Sequence, residues 1–343
     1  MNFLFPNNVI HSSDCSLFNV MKIAPGLFFL LTTAIYAQND QVAAPRIEFI
    51  TLEPGVELEL LDWGGTGEPI MFLAGLGNTA HVYENFAHHF TGDHRVYGLT
   101  RRGYGASSQP KYGYDIPTLA SDIKRVMDKL EIKMITLIGH SIAGDEMTAF
   151  ASAYPERLNK LVYLDAAYDR SDFVTLMRKA PYPPQAQPVM SAADSASFLT
   201  VTAYLSKMFG MKYPQAEVLA TRTFTYEGRL KGTVTPDHIG IKIIMGLEKP
   251  DYQAIKCPIL AVYAVFNHVN ELFPNYQDFD HKNKLMAHQA MEVLKPYVLE
   301  QIQYFKDQAN GEQVLQFEGA DHFIFLTHER EVVAELLEFL SRP

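Results

Sequence analysis

Apolar residues fall into two kinds of run along this chain. Ile47–Leu52 and Val56–Leu61 alternate apolar with polar positions around Glu53-Pro54-Gly55, which predicts a β-hairpin. Short apolar runs at Pro69–Leu73, Arg95–Leu99, Met134–Ile138, Lys160–Leu164, Ile259–Tyr263 and Gln313–Phe317 predict strands buried on both faces. Between them the spacing turns helical. Ile116, Leu119, Ile123, Val126, Met127 and Leu130 share one face over Ile116–Leu130. Ala143–Ala153 is a second helix, stopped by Tyr154-Pro155, and Arg330–Leu340 is an amphipathic helix near the C-terminus. Strands that alternate with helices predict an α/β protein, its mostly parallel twisted sheet covered by helices on both faces. The alternation breaks between Tyr168 and about Lys256, a stretch that is mostly helical by pattern and rich in Met, Phe, Tyr and Leu. It is read as a helical cap inserted after the sixth strand, beside the ligand crevice at the strand C-terminal edge. The domain reading is therefore a core of residues 38–167 and 257–343 with a cap over 168–256.

The N-terminus follows a different pattern. Lys22 precedes an apolar stretch from Leu27 to Ile35, and Ala37 follows, the layout of a secretory signal peptide over residues 21–37. The polar residues 1–20 ahead of it are read as a start-site extension, with Met21 the working start. Export to the periplasm or medium is the expectation, with a membrane anchor over residues 21–37 as the alternative. The apolar run is short of the roughly 20 residues that a spanning helix needs.

Composition narrows the function. A formal charge of −10 leaves no basic surplus to displace phosphate counterions, which argues against a general nucleic-acid binder. Two cysteines, Cys15 and Cys257, exclude a disulfide framework and a four-thiolate zinc site. Cleavage after Ala37 would leave Cys257 alone, and its place before Pro258–Val262 makes it a small core residue. No metal-ligand set, phosphate loop or dinucleotide fingerprint is present, so no cofactor and no obligatory partner are implied.

The chemistry concentrates at Met134–Gly144. A buried strand runs into Gly139-His140-Ser141-Ile142-Ala143-Gly144 and straight on into a helix. A nucleophile on such a strained turn exposes its hydroxyl only if the residues two positions either side are small, as Gly139 and Ala143 are. The helix behind Ser141 would aim its positive end, and the N–H of Ile142, at a developing oxyanion.

In element order over about residues 45–340, and most specifically in Gly139–Gly144, the chain resembles the α/β-hydrolase superfamily. The likeness is to its cap-bearing serine hydrolases of the exported bacterial type. The resemblance implies further residues. Met71–Gly77 is similar to the strand-end loop that supplies the other half of an oxyanion hole, with Ala74 where His is common and the backbone N–H of Leu76 as donor. Leu99–Ser107 resembles the Asp-x-Arg-Gly-x-Gly-x-Ser turn, with Thr100 in place of Asp; it is read as scaffold. His322, in Phe317–Phe323 just after the last strand, stands where the family carries its catalytic imidazole, and its order after Ser141 matches. The triad acid stays open. The usual position after the seventh strand holds Asn267, which cannot stabilise an imidazolium by charge. Asp165, ending the sixth strand, is the favoured acid, with a weakened dyad on Asn267 and an acid at Glu271 as the other readings.

These roles imply hydrolysis of a carboxylic ester of a small molecule through an acyl-enzyme on Ser141, with His322 as base. Ser at the elbow disfavours the aspartate-nucleophile chemistries of this fold. An amidase or aminopeptidase, and a catalytically silent binding protein suggested by Asn267, are the rival readings.

Overall fold

The computed structural model describes residues 44–342 apart from Gly311; the leader and extension expected within residues 1–37 lie outside the described residues. Strand β1 (Arg46–Glu53) pairs antiparallel with β2 (Val56–Gly64), which pairs antiparallel with β4 (His94–Leu99). From there β3 (Glu68–Leu73), β5 (Ile135–His140), β6 (Leu158–Leu164), β9 (Ile259–Val265) and β10 (Glu312–Glu318) extend the sheet in parallel. The order is β1-β2-β4-β3-β5-β6-β9-β10.

The alternation within each strand explains why both faces are covered. Met71 and Leu73 join one core with Leu137, Leu161, Tyr163 and Ala261, under helices α1 (Ile116–Lys129), α2 (Ala143–Ala153) and α8 (His281–Gln308). Ile70 and Phe72 point the other way, into Ile138, Val162, Leu260, Tyr83 and Phe86, under the short α9 (Ile324–Thr327) and α10 (Glu329–Ser341). Each large apolar side chain withdrawn from water in such a core contributes about 1.5–3 kcal/mol. Helix α1 starts where Asp115 accepts the Thr118 N–H, with Pro117 in its first turn. Helix α8 escaped the sequence pattern; Asp280 caps it by accepting the Asn283 N–H at 2.8 Å, and it continues through Pro296.

Between β6 and β9 the chain forms α3 (Phe173–Lys179), α4 (Phe198–Phe209), α5 (Gln215–Thr221), strands β7 (Arg222–Phe224) and β8 (Leu230–Thr233), and α6 (Asp237–Met245). The antiparallel β7–β8 pair adds a short sheet to this mostly helical stretch, one the sequence pattern did not show. Its strands are three and four residues long, too short for a period to show. The segment has its own small core of Val201, Leu205, Tyr213 and Val218. Helix α6 packs Ile239 and Ile243 against Tyr104, Tyr114, Ile116 and Ile142, beside the β5–α2 turn. Helix α7 (Val269–Leu272) follows β9. No helix among the described residues is long and apolar enough to cross a membrane.

Candidate active site

Ser141 sits between the last residue of β5 and the first turn of α2 with φ 56°, a left-handed conformation that a residue with a Cβ adopts only at a cost of order 1–3 kcal/mol. Two contacts hold that turn. The Ser141 N–H donates to the Leu164 carbonyl on β6, and the Gly144 N–H to the Ser141 carbonyl. Space around the turn is tight: a Cβ on Gly139 would lie 2.7 Å from the Met147 sulfur and 3.0 Å from the Ala143 Cβ, and one on Gly144, a position the sequence reading did not single out, would lie 2.1 Å from the Ala166 carbonyl oxygen.

Asp165 directly follows β6 in the same left-handed region, φ 47°. Its N–H donates to the Val262 carbonyl of β9, which fixes its backbone against that strand. One carboxylate oxygen, Oδ1, accepts from the Tyr168 hydroxyl and from the Ala264 N–H. The other, Oδ2, lies 2.6 Å from His322 Nδ1, and His322 Nε2 lies 2.9 Å from Ser141 Oγ. The structure thus brings Ser141, His322 and Asp165 into one chain of hydrogen bonds. The acid side chain is 8% exposed and the imidazole 47%, so the chain runs from interior to cavity.

The other acid candidates are placed elsewhere. Asn267 donates from Nδ2 to Glu318 and accepts from Lys295 Nζ at 2.8 Å. Glu271 accepts the N–H groups of Asn267 and His268 at the start of α7. Neither hydrogen-bonds His322. His140, the last residue of β5, bonds across to the loop that carries His322. Its Nε2–H donates at 2.8 Å to the carbonyl of His322, 182 residues away, and the two rings lie 4.5 Å apart. Burial, reinforced by His322 beside it, holds its pKa well below the ordinary range, so the ring is a neutral support for the His322 loop.

The N–H groups of Leu76 and Ile142 have no acceptor among the described residues, and both residues line the same cavity as Ser141. Sequence reasoning gave no role to Arg101, yet its guanidinium bonds the carbonyls of Ala74 and Gly75 while pairing with Glu146 at 2.7 Å. In a trans peptide the Gly75 carbonyl points opposite to the Leu76 N–H. Holding the first therefore aims the second. A Cβ on Gly75 would come within 3.2 Å of the Ser141 Cβ, so only glycine lets this loop lie so close to the serine.

Glu217, fully buried on α5, ties the segment after β6 to the same loop. Its carboxylate accepts the Asn78 amide, the Thr79 N–H and the Thr79 hydroxyl. Burial pushes its pKa up to about 7 against those donors. A carboxyl whose pKa is raised by folding stabilises the fold below its unfolded pKa, and that contribution is lost as pH rises through about 7. Wild-type unfolding free energy should therefore fall more steeply from pH 5 to 7 than that of Glu217→Gln. The difference in slope reaches at most about 1.4 kcal/mol per pH unit. Denaturant titrations of both proteins check this; parallel slopes would refute it.

The cavity over the triad has a volume of about 470 Å³. Its walls are mostly apolar, with Phe173, Leu176, Met177, Met208 and Phe209 contributed by the segment after β6 and Phe266, Leu272, Tyr297 and Val298 by the chain after β9. Among the described residues no group of three or more His, Cys, Asp or Glu converges as a metal site.

Residues 68–201 match the family model of the alpha/beta hydrolase fold. A non-heme chloroperoxidase of Streptomyces lividans is 26% identical over 295 residues, which cover 85% of this chain and 99% of that protein. Matches to a cyanobacterial and a zebrafish relative span less than half of those proteins' length. Among solved structures, E-2-(acetamidomethylene)succinate hydrolase has a TM-score of 0.66 at 16% identity, covering 87% of this chain and 100% of its own. An esterase from Exiguobacterium antarcticum has a TM-score of 0.58 at 17% identity, over 86% and 99%. At those identities the structural likeness speaks for the fold.

Proposed function

From the chain's membership of the α/β-hydrolase superfamily, we propose that it is a serine hydrolase that cleaves carboxylic esters through an acyl-enzyme. The observation that carries this reading is the continuous path Asp165 Oδ2–His322–Ser141 Oγ, with links of 2.6 and 2.9 Å, opening into a mostly apolar cavity. With Nδ1–H donated to Asp165, the bare Nε2 of His322 accepts the serine proton as Oγ attacks the acyl carbonyl. The Leu76 and Ile142 N–H groups take the negative charge that develops on the carbonyl oxygen, aided by the N-terminal end of α2. His322 then returns its proton to the departing alkoxide, and a water activated by the same imidazole releases the acid.

An apolar cavity of this size suits a small ester, and export remains a proposal carried by residues 21–37. The test is labelling of the folded protein with a fluorophosphonate, followed by mass mapping. Modification at Ser141 that Ser141→Ala abolishes is the expected result. A folded protein that never labels would return the chain to the reading of a binding protein on a hydrolase scaffold. A parallel panel of esters and amides separates the ester reading from the amidase one.

A further inference from the structure

Arg170 is the single lysine or arginine among the residues lining the cavity. Its side chain is 10% exposed and its Cζ lies 5.0 Å over the ring of Tyr168, whose hydroxyl bonds Asp165. The guanidinium therefore stands on the acid side of the triad. Only Nη1 is engaged, donating to Asp145 Oδ2 at 2.8 Å and to the Ala166 carbonyl at 3.0 Å. The N–H groups of Nε and Nη2 have no acceptor among the described residues. An ion pair that served only to anchor Asp145 would not need its arginine in a cavity wall with two donor groups left open. The acids that share the cavity are already committed. Asp165 bonds His322, Glu271 takes two backbone N–H groups, and Asp321 accepts from Phe323 N–H at 2.8 Å. What remains is an arginine with Nε and Nη2 unengaged, in a cavity wall it shares with Phe173, Leu176 and Tyr297, and that edge of a guanidinium matches a carboxylate by two parallel hydrogen bonds.

We propose that Arg170 is the subsite for a carboxylate on the substrate, so that the esters this cavity prefers carry a free carboxylate apart from the ester itself. This rests on the serine-hydrolase reading of the same cavity and narrows its substrate class. The test is calorimetric binding of glutarate and of its uncharged dimethyl ester to wild-type protein and to the Arg170→Gln, Arg170→Lys and Ser141→Ala variants. Wild type and Ser141→Ala should bind glutarate at least about tenfold tighter than the diester. Arg170→Gln should abolish that preference, and Arg170→Lys should keep part of it. Equal binding of the two ligands by wild type would overturn the proposal, and so would a preference untouched in Arg170→Gln. If Arg170→Gln does not fold, a preference in Arg170→Lys equal to that of wild type overturns it, because a lysine cannot form the paired contact. Binding needs no turnover. Glutarate preference in a protein whose Ser141 never labels would remove the ester-hydrolase reading and leave the subsite standing.

Discussion

Asp165→Asn should lower kcat on a 4-nitrophenyl ester by about 10⁴-fold with KM little changed, whereas Asn267→Ala should stay within about threefold of wild type. The size of the first effect follows from what surrounds the carboxylate. Its Oδ1 accepts from the Tyr168 hydroxyl and the Ala264 N–H, so an asparagine there keeps its carbonyl oxygen on those donors. The amide NH₂ is then forced toward His322 Nδ1, which must accept. The ring proton moves to Nε2, the atom that faces Ser141 Oγ at 2.9 Å, and the serine loses its base. Asn267 is tied to Glu318 and Lys295, so shortening it leaves the imidazole untouched. Steady-state kinetics on the three proteins decide the matter. A larger loss for Asn267→Ala than for Asp165→Asn would move the acid off β6.

Gly144→Ala should destabilise the fold by about 3 kcal/mol, because the added methyl carbon would lie 2.1 Å from a backbone oxygen that no side-chain rotation can clear. For a chain of this size that corresponds to a drop in Tm of roughly 4 to 5 °C. The oxygen belongs to Ala166, next to Asp165, and it also accepts the Arg170 guanidinium. Molecules that fold must therefore carry a shifted acid, and kcat should fall with stability. Gly92→Ala is the matched control. Nothing stands within 4 Å of a Cβ there, and stability should change by less than about 0.5 kcal/mol. Thermal unfolding of both variants checks the pair, and equal Tm values would refute the close contact of α2 with the chain just after β6.

Signals confined to one segment were readable from the chain, and those spread over several were not. The strands that build the sheet, and the strand–turn–helix around Ser141, announce themselves in runs of five to ten residues through apolar alternation and small residues at fixed offsets. The choice among Asp165, Asn267 and Glu271 depends on how β6, β9 and β10 register against one another, which no local pattern encodes. Arg101, Glu217 and Arg170 look like surface charges in sequence. Their burial is set by partners 45, 138 and 25 residues away, Glu146, Thr79 and Asp145. Helix α8 was missed for another reason. Its apolar residues are spread around the cylinder and Pro296 interrupts it, so the period that revealed α1 has no counterpart.

The hinge at which the chain leaves β6 bears on how such proteins could be recombined. Within six residues it holds the acid, the tyrosine whose hydroxyl bonds that acid, and the arginine that grips the carbonyl of Ala166. The helical segment beyond is thus not a detachable module clipped onto a finished catalytic floor. A chimera joined at residue 166 would import a stranger's support for the acid together with its new roof, whereas a junction placed after Arg170 would leave the floor intact. A segment exchanged for a new specificity is therefore best exchanged from the far side of that hinge.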